Sequence, residues 1–177
     1  KKVEQAKKTT LITDLFNQVA PKYDLMNDIM SLRLHRIWKK DLISFLDKSD
    51  NQVFLDLAGG TGDISIKLHN NFSDSQVIVC DLSTEMLLHG RQKLWDLSIY
   101  KNINWIAANA SEIPLQDNFI HSVIISFGLR NVSNISKTLQ ESYRVIKPGG
   151  SFICLEFSPD VTYLLKNMYD MYSFKII

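Results

Sequence analysis

A doubly wound α/β fold, with a mainly parallel sheet and an N-terminal helical cap, is the class this sequence predicts. Three observations predict it. From residue 53 onwards, short unbroken apolar runs alternate with helix-length segments. Strands buried on both faces read as continuous apolar runs, the texture of a parallel sheet covered by helices. A glycine-rich turn, Gly59-Gly60-Thr61-Gly62, directly follows the first run. That is the carboxyl end of a strand, where such sheets bind ligands.

The elements follow in order. Residues 11–20 and 25–47 read as helices interrupted near Pro21. In the second, Leu25, Ile29, Leu32, Leu34, Ile37, Trp38, Leu42, Phe45 and Leu46 recur at helical spacing. The polar stretch 49–52 breaks that pattern, and 53–58 is the first strand. A helix then runs from the glycine turn to about residue 70, and 77–81 is the second strand. Ser83 reads as an N-cap, with Glu85 in the first turn where the helix dipole favours an acid. Leu87, Gly90, Leu94 and Leu97 line one face of that helix. Residues 103–110 and 122–128 are the third and fourth strands. Ser133 caps a further helix with Ile135, Leu139, Tyr143 and Ile146 inward. Pro148-Gly149-Gly150 stops it, and 151–157 is the fifth strand.

The chain has 177 residues, 45% hydrophobic and 22% charged, which fits one globular domain. Twenty basic against 19 acidic residues give a net charge of +1, so there is no electrostatic footprint for nucleic acid. No window approaches the roughly 18 unbroken apolar residues of a spanning helix. Nothing at the start reads as a signal peptide. The first residue is Lys1 and the chain stops in mid-pattern at Ile177, so it reads as a piece of a longer protein. Cys80 and Cys154 sit inside apolar runs and read as small buried hydrophobes. With strand order 3-2-1-4-5 they lie three strands apart, roughly 14 Å, too far for a disulfide. No Cys/His cluster suggests a metal.

The glycine turn and the acids around it suggest a nucleoside ligand. Gly59 and Gly60 allow close backbone approach. Asp81 ends the second strand 19 residues after Gly62, the spacing at which an acid grips ribose hydroxyls. A dinucleotide fingerprint would need glycines at 58, 60 and 63, where Ala58, Gly60 and Asp63 stand. A pyrophosphate wants a helix N-terminus without an acid beside it. Asp56 and Asp63 oppose that and suit a cation, so S-adenosylmethionine fits: a ribose, a sulfonium, an ammonium and no phosphate. The plainer alternative has Asp63 only capping the helix and Asp56 only holding the loop. Asn109 and Ala110 close the third strand and Ser126 the fourth, in reach of an adenosine, with Phe127 next for apolar contact.

At these residues the chain resembles a class I S-adenosylmethionine-dependent methyltransferase with a Rossmann-like core. Residues 23–31 (YDLMNDIMS) with 35–38 (HRIW), and 144–150 (RVIKPGG) running on to 155–158 (LEFS), resemble the two signatures of the ubiquinone/menaquinone biosynthesis C-methyltransferase family. Residues 126–132 and 168–174 also read like it. The resemblance implies a single domain over 1–177. It divides into a cap at 1–48, a cofactor-binding core at 53–158 and the start of a substrate-side helical segment at 159–177. Two further strands of the family pattern would follow. Arg33 stands where the family usually has Gly.

The resemblance implies methyl transfer to a ring carbon of a polyprenylated benzoquinol or naphthoquinol. Asp56, Gly59, Gly60, Thr61, Asp81, Asn109, Ala110 and Ser126 are the cofactor candidates. Methylation of a phenolic ring carbon needs positioning, a stabiliser for oxyanion charge and a base. Arg130 and Asn131 are the first candidates near the phenolic oxygen. Arg130 stays protonated and so serves as electrostatic stabiliser. His35 and Tyr23 are candidates for a proton relay, against the plainer reading of His35 as a packing residue. Met26, Met30, Met168 and Met171, with Tyr23, Tyr169 and Tyr172, offer an adaptable surface for a prenyl tail. A prenylated substrate implies peripheral membrane contact. The expected location is cytoplasmic at the inner membrane (matrix side in a mitochondrion), as a homodimer or within a quinone-biosynthesis complex. The rival readings are a nicotinamide-dependent oxidoreductase and a non-catalytic cofactor-binding subunit.

Overall fold

Helices and strands alternate through the described chain, which in this computed structural model comprises Asp14, Ala20, residues 34–47 and residues 49–156. Most of the helix expected at 11–20, most of the first half of the helix at 25–47, Tyr23, and everything expected from 157 onwards lie outside the described residues. The order is α1 (Leu34–Ser44), β1 (Val53–Leu57), α2 (Asp63–Asn71), β2 (Gln76–Asp81), α3 (Thr84–Asp96), β3 (Ile103–Ala107), β4 (Ile120–Ser126), α4 (Ile135–Val145) and β5 (Ile146–Leu155). A 3-10 turn at Leu129–Asn131 follows β4. The sheet order is β3-β2-β1-β4-β5, as the sequence reading has it, and all four pairings are parallel.

The two-residue period of a strand sorts the core. Phe54, Val77 and Ile124 face one side, packed with Leu42, Ile43 and Leu46 of the α1 end and Ile64, Leu68 and Phe72 around α2. Leu55, Leu57, Ile78, Cys80, Val123 and Ile125 face the other, against Ile113 and Val145. Each fully buried side chain of this kind contributes about 1.5–3 kcal/mol of transfer free energy. β1 lies at the centre: the chain runs outward from it through β2 to β3 and then crosses back to β4 on its other side, so the switch point falls between β1 and β4.

Several expectations need correction. α1 turns His35, Lys39, Leu42 and Ile43 inward, while Leu34, Ile37 and Phe45 are exposed. Leu97 lies past the end of α3 and is exposed, although Leu87, Gly90 and Leu94 are buried as expected. The last helix is capped by Asn134, whose Oδ1 accepts from Lys137 N–H, and not by Ser133. It buries Thr138, Ser142 and Val145 and leaves Ile135, Leu139 and Tyr143 exposed. The cause is a polar clamp. Arg144 donates to the carbonyls of Ile113 and Leu115 and pairs with Asp117, and Glu141 accepts from Ile113 N–H. That clamp sets the helix rotation against its apolar stripe.

Pro148-Gly149-Gly150 does not stop the helix. It lies inside β5, where the register jumps from Ile120↔Ile146 to Ser122↔Ser151. The described sheet ends at β5, so the missing proline N–H and the extra residues are accommodated as a bulge, with Gly149 at φ 83°. Cys80 is buried, but Cys154 is exposed on that outer strand, contrary to the expectation.

Candidate functional site

The glycine turn leaves β1 through a left-handed backbone at Ala58 (φ 53°) and Gly60 (φ 53°). Gly60 N–H donates to Asp81 Oδ2 at 2.8 Å, and Gly59 N–H to the Cys80 carbonyl at 3.2 Å. A Cβ on Gly60 would stand 2.9 Å from Met86 Cε on α3, so glycine serves here both for φ and for space. The turn is therefore stitched to the end of β2.

Asp81 is the organising group. Its other oxygen, Oδ1, accepts from Ser83 N–H at 2.8 Å. Burial pushes its carboxyl above the ordinary range, against the pull of those backbone N–H groups. An ionised carboxylate has about four acceptor sites, so further lone pairs remain for hydroxyl donors. Just beyond, Ser83 Oγ accepts from Met86 N–H and starts α3, as the sequence predicts.

A cleft opens at the carboxyl ends of β1, β2, β3 and β4. It encloses about 770 Å³ of atom-free space including its open mouth. Gly60, Asp81, Asn109, Ala110, Ser126 and Asn131, all predicted site residues, line it together. Ser126 Oγ is buried there with no hydrogen-bond partner among the described residues. Asn109 Oδ1 accepts from both Ser111 N–H and Ser111 Oγ–H, which shapes the turn after β3.

The other predicted residues stand elsewhere. Asp56 is 1% exposed and lies behind the loop. Its Oδ2 accepts from Ser65 N–H at 3.1 Å and Ser65 Oγ–H at 2.6 Å. Burial pushes its carboxyl up to about 7. Gly59 packs tightly on Asp56 and Val79, and Thr61 is buried within the turn. Asp63 faces Lys39 Nζ at 2.9 Å and Lys93 Nζ at 3.6 Å. Burial raises its carboxyl, but Lys39 and Lys93 outweigh that and hold it well below the ordinary range. Among the described residues the bonds of Asp56 run to α2 and those of Asp63 to lysines of α1 and α3, contacts that support the plainer of the two readings. His35 is buried on the inner face of α1. Arg130 sits beside Asn131 on the 3-10 turn and pairs with Glu156 at 3.1 Å.

Sequence reasoning missed part of the wall. Leu82, Met86, Gly128, Val132 and Ser133 also line the cleft. Leu82 follows Asp81 directly and Met86 lies one turn into α3, so adjacency to Asp81 was the available signal. Phe127 lines it, as the sequence suggests, but with a left-handed backbone (φ 55°) rare for an aromatic, and its ring stands 6.4 Å from Trp38 of α1. No residue pattern announces that conformation.

The model of the ubiE/COQ5 methyltransferase family matches residues 2–177. The chain belongs to the ubiE/COQ5 methyltransferase family. It is 46% identical over its full length to the ubiquinone/menaquinone biosynthesis C-methyltransferase UbiE of Rickettsia prowazekii, covering 73% of that protein. It is 44% identical to the UbiE of Shewanella frigidimarina, again over its full length and 71% of the relative. Among solved structures, a SAM-dependent methyltransferase from Aquifex aeolicus superposes with TM-score 0.63 at 21% identity, over 77% of this chain and 81% of that one. The [4+2]-cyclase SpnF superposes with TM-score 0.62 at 18% identity, over 67% of this chain and 43% of that one. These structural likenesses carry the fold alone, since one fold hosts many chemistries. The family membership, not the fold, makes the chain a methyltransferase. None of these relatives is named as an oxidoreductase. Among the described residues, no helix is long and apolar enough to cross a membrane.

Proposed function

We infer that this ubiE/COQ5 family chain methylates a ring carbon of a prenylated benzoquinol or naphthoquinol on the routes to ubiquinone and menaquinone. The observation that supports it most is the whole-chain likeness to relatives of that stated activity. The cleft fits the cofactor S-adenosylmethionine on two observations of its own. Ser126 Oγ is a buried polar atom awaiting a partner in the wall. Asp81 keeps acceptor capacity for two ribose hydroxyls while the backbone holds its carboxylate in place. When bound, the cofactor supplies an activated methyl group.

The chain's residues do the rest. Asp81 and Gly60 fix the ribose end, Asn109 and Ala110 meet the base edge, and Leu82 and Met86 give it an apolar bed. Asp56 and Asp63 act through the loop and not on the ligand. Asn131 faces the cleft from the turn after β4, with Arg130 beside it. The positive guanidinium lowers the energy of a phenolate, which makes the neighbouring ring carbon the nucleophile. A prenylated substrate resides in lipid. The protein therefore works from the cytoplasmic side against the inner-membrane surface (the matrix side in a mitochondrion). It does so as a homodimer or within a quinone-biosynthesis assembly.

Calorimetric titration with S-adenosylmethionine and with NADH tests the cofactor. Micromolar binding of the first alone is expected. Asp81→Ala should weaken it about 150-fold or more, from two charge-assisted hydrogen bonds worth about 1.5–3 kcal/mol each. NADH binding in its place would overturn the reading. Methyl transfer to short-tailed prenylated benzoquinol and naphthoquinol then tests the substrate class.

A further inference from the structure

The 3-10 turn Leu129–Asn131 carries Asn131 into the cleft wall, and one carboxylate grips its middle residue twice. Glu156 Oε2 accepts from Arg130 N–H at 3.3 Å, and Glu156 Oε1 accepts from Arg130 Nη1 at 3.1 Å. The two side chains are 27% and 21% exposed, so the pair is only partly screened by solvent. Glu156 directly follows β5, whose last residue Leu155 accepts from Phe127 N–H at 2.7 Å. Within the turn, Asn131 N–H donates to the Gly128 carbonyl at 3.0 Å. The end of β5 thus anchors the segment 127–130 at both ends, once through backbone and once through Glu156. Phe127, Gly128 and Asn131, which the segment brings along, line the cleft.

We propose that Glu156 is a positioning residue for methyl transfer: it clamps the Arg130 backbone and guanidinium and thereby sets Arg130 and Asn131 at the cleft rim. The proposal rests on the reading of Arg130 and Asn131 as the substrate-side groups. A carboxylate bound to one residue through both its main chain and its side chain fixes position and orientation together, and small misplacements of such groups cost large factors in rate. Glu156 itself does not line the cleft, so its loss should appear in turnover far more than in cofactor affinity.

The test uses the full-length protein as wild type, Glu156→Ala, Glu156→Gln, Arg130→Ala and the Glu156→Ala/Arg130→Ala double variant. Three quantities are read: hydrogen exchange at the Arg130 amide, the Kd of S-adenosylmethionine, and kcat with a short-tailed prenylated quinol. Glu156→Ala should lower kcat at least 10-fold with cofactor Kd unchanged within 3-fold, and speed exchange at Arg130 at least 10-fold. Glu156→Gln keeps one acceptor and should lose 3–10-fold in kcat. In the Arg130→Ala background the loss from Glu156→Ala should be smaller than in wild type, because only the bond to the residue-130 amide is left to break and the two effects are non-additive. Additive losses, equal losses of cofactor affinity, or unchanged kcat would each overturn the proposal. If Glu156→Ala does not fold, Glu156→Gln decides, and full activity in it overturns the clamp. A wild type that binds cofactor but methylates no quinol refutes the proposed function. In that case unchanged exchange at Arg130 in the Glu156 variants still refutes the clamp, and accelerated exchange supports it.

Discussion

Replacing Asp56 by Asn isolates a buried proton. The carboxyl is 1% exposed and binds Ser65 through one oxygen. Burial lifts it from 3.8 to about 7 in the folded chain, despite the Ser65 bonds and Lys39. The folded state therefore holds this proton more tightly than the unfolded state does. The stability it contributes is complete below pH 4 and is lost as pH rises through about 7. Linkage over that shift gives a loss of about 3 kcal/mol between pH 5 and pH 8. Asn keeps an acceptor for Ser65 N–H and Oγ–H but does not titrate. Urea denaturation at pH 5, 6, 7 and 8 should thus show Asp56→Asn gaining about 3 kcal/mol on wild type across the range. Asp56→Leu does not titrate either but leaves Ser65 unpaired, so it should lie about 1–3 kcal/mol below Asp56→Asn at every pH. Parallel wild-type and Asp56→Asn curves would refute the reasoning: Asp56 would then be ionised in the fold and balanced by Lys39.

Three further outcomes follow from the same geometry. Lys39→Met leaves Asp63 without its nearest cation; it should cost about 2 kcal/mol at neutral pH, somewhat below the figure for a fully buried pair. Asp63 is held below its ordinary range, so its contribution is present above about pH 4 and lost in acid; the variant's acid limb should be shallower than that of wild type, by circular dichroism. A Cβ at Gly90 would stand 2.5 Å from the Trp105 ring and 3.0 Å from the Thr61 carbonyl carbon, so Gly90→Ala should destabilise by about 1–3 kcal/mol in urea; a change under 0.5 kcal/mol would mean that α3 shifts freely. Ser126→Ala removes a buried hydroxyl that has no partner among the described residues; it should leave the unliganded Tm unchanged or raised and weaken S-adenosylmethionine about 5–10-fold by calorimetry.

Local pattern by itself determined the alternation of strands and helices, the glycine turn after Val53–Leu57, the Ser83 cap and the place of Asp81 at the end of β2. Those features depend on backbone conformation and on residues next to one another in the chain. It also brought Gly60, Asn109, Ala110, Ser126 and Asn131 to one rim, because parallel strands put all their carboxyl ends on the same edge. Tertiary structure alone decided where the acids point. Asp56 turned to Ser65 and Asp63 to Lys39, 24 residues away, and no spacing rule encodes such partners. It also decided the rotation of α4. An apolar stripe says that a helix has a preferred face, yet the Arg144–Glu141 clamp on residues 113–117 supplied a competing set of bonds and turned Thr138 and Ser142 inward. Likewise Pro148-Gly149-Gly150 is a stop signal locally, but beside β4 the backbone gains more by pairing, and the proline is absorbed as a bulge on β5. The Glu156–Arg130 contact spans 26 residues and exists only because β5 lies beside β4. Sequence periodicity reports which face is apolar or which residue ends a strand; which group it meets is set by the energy of long-range contacts that form together.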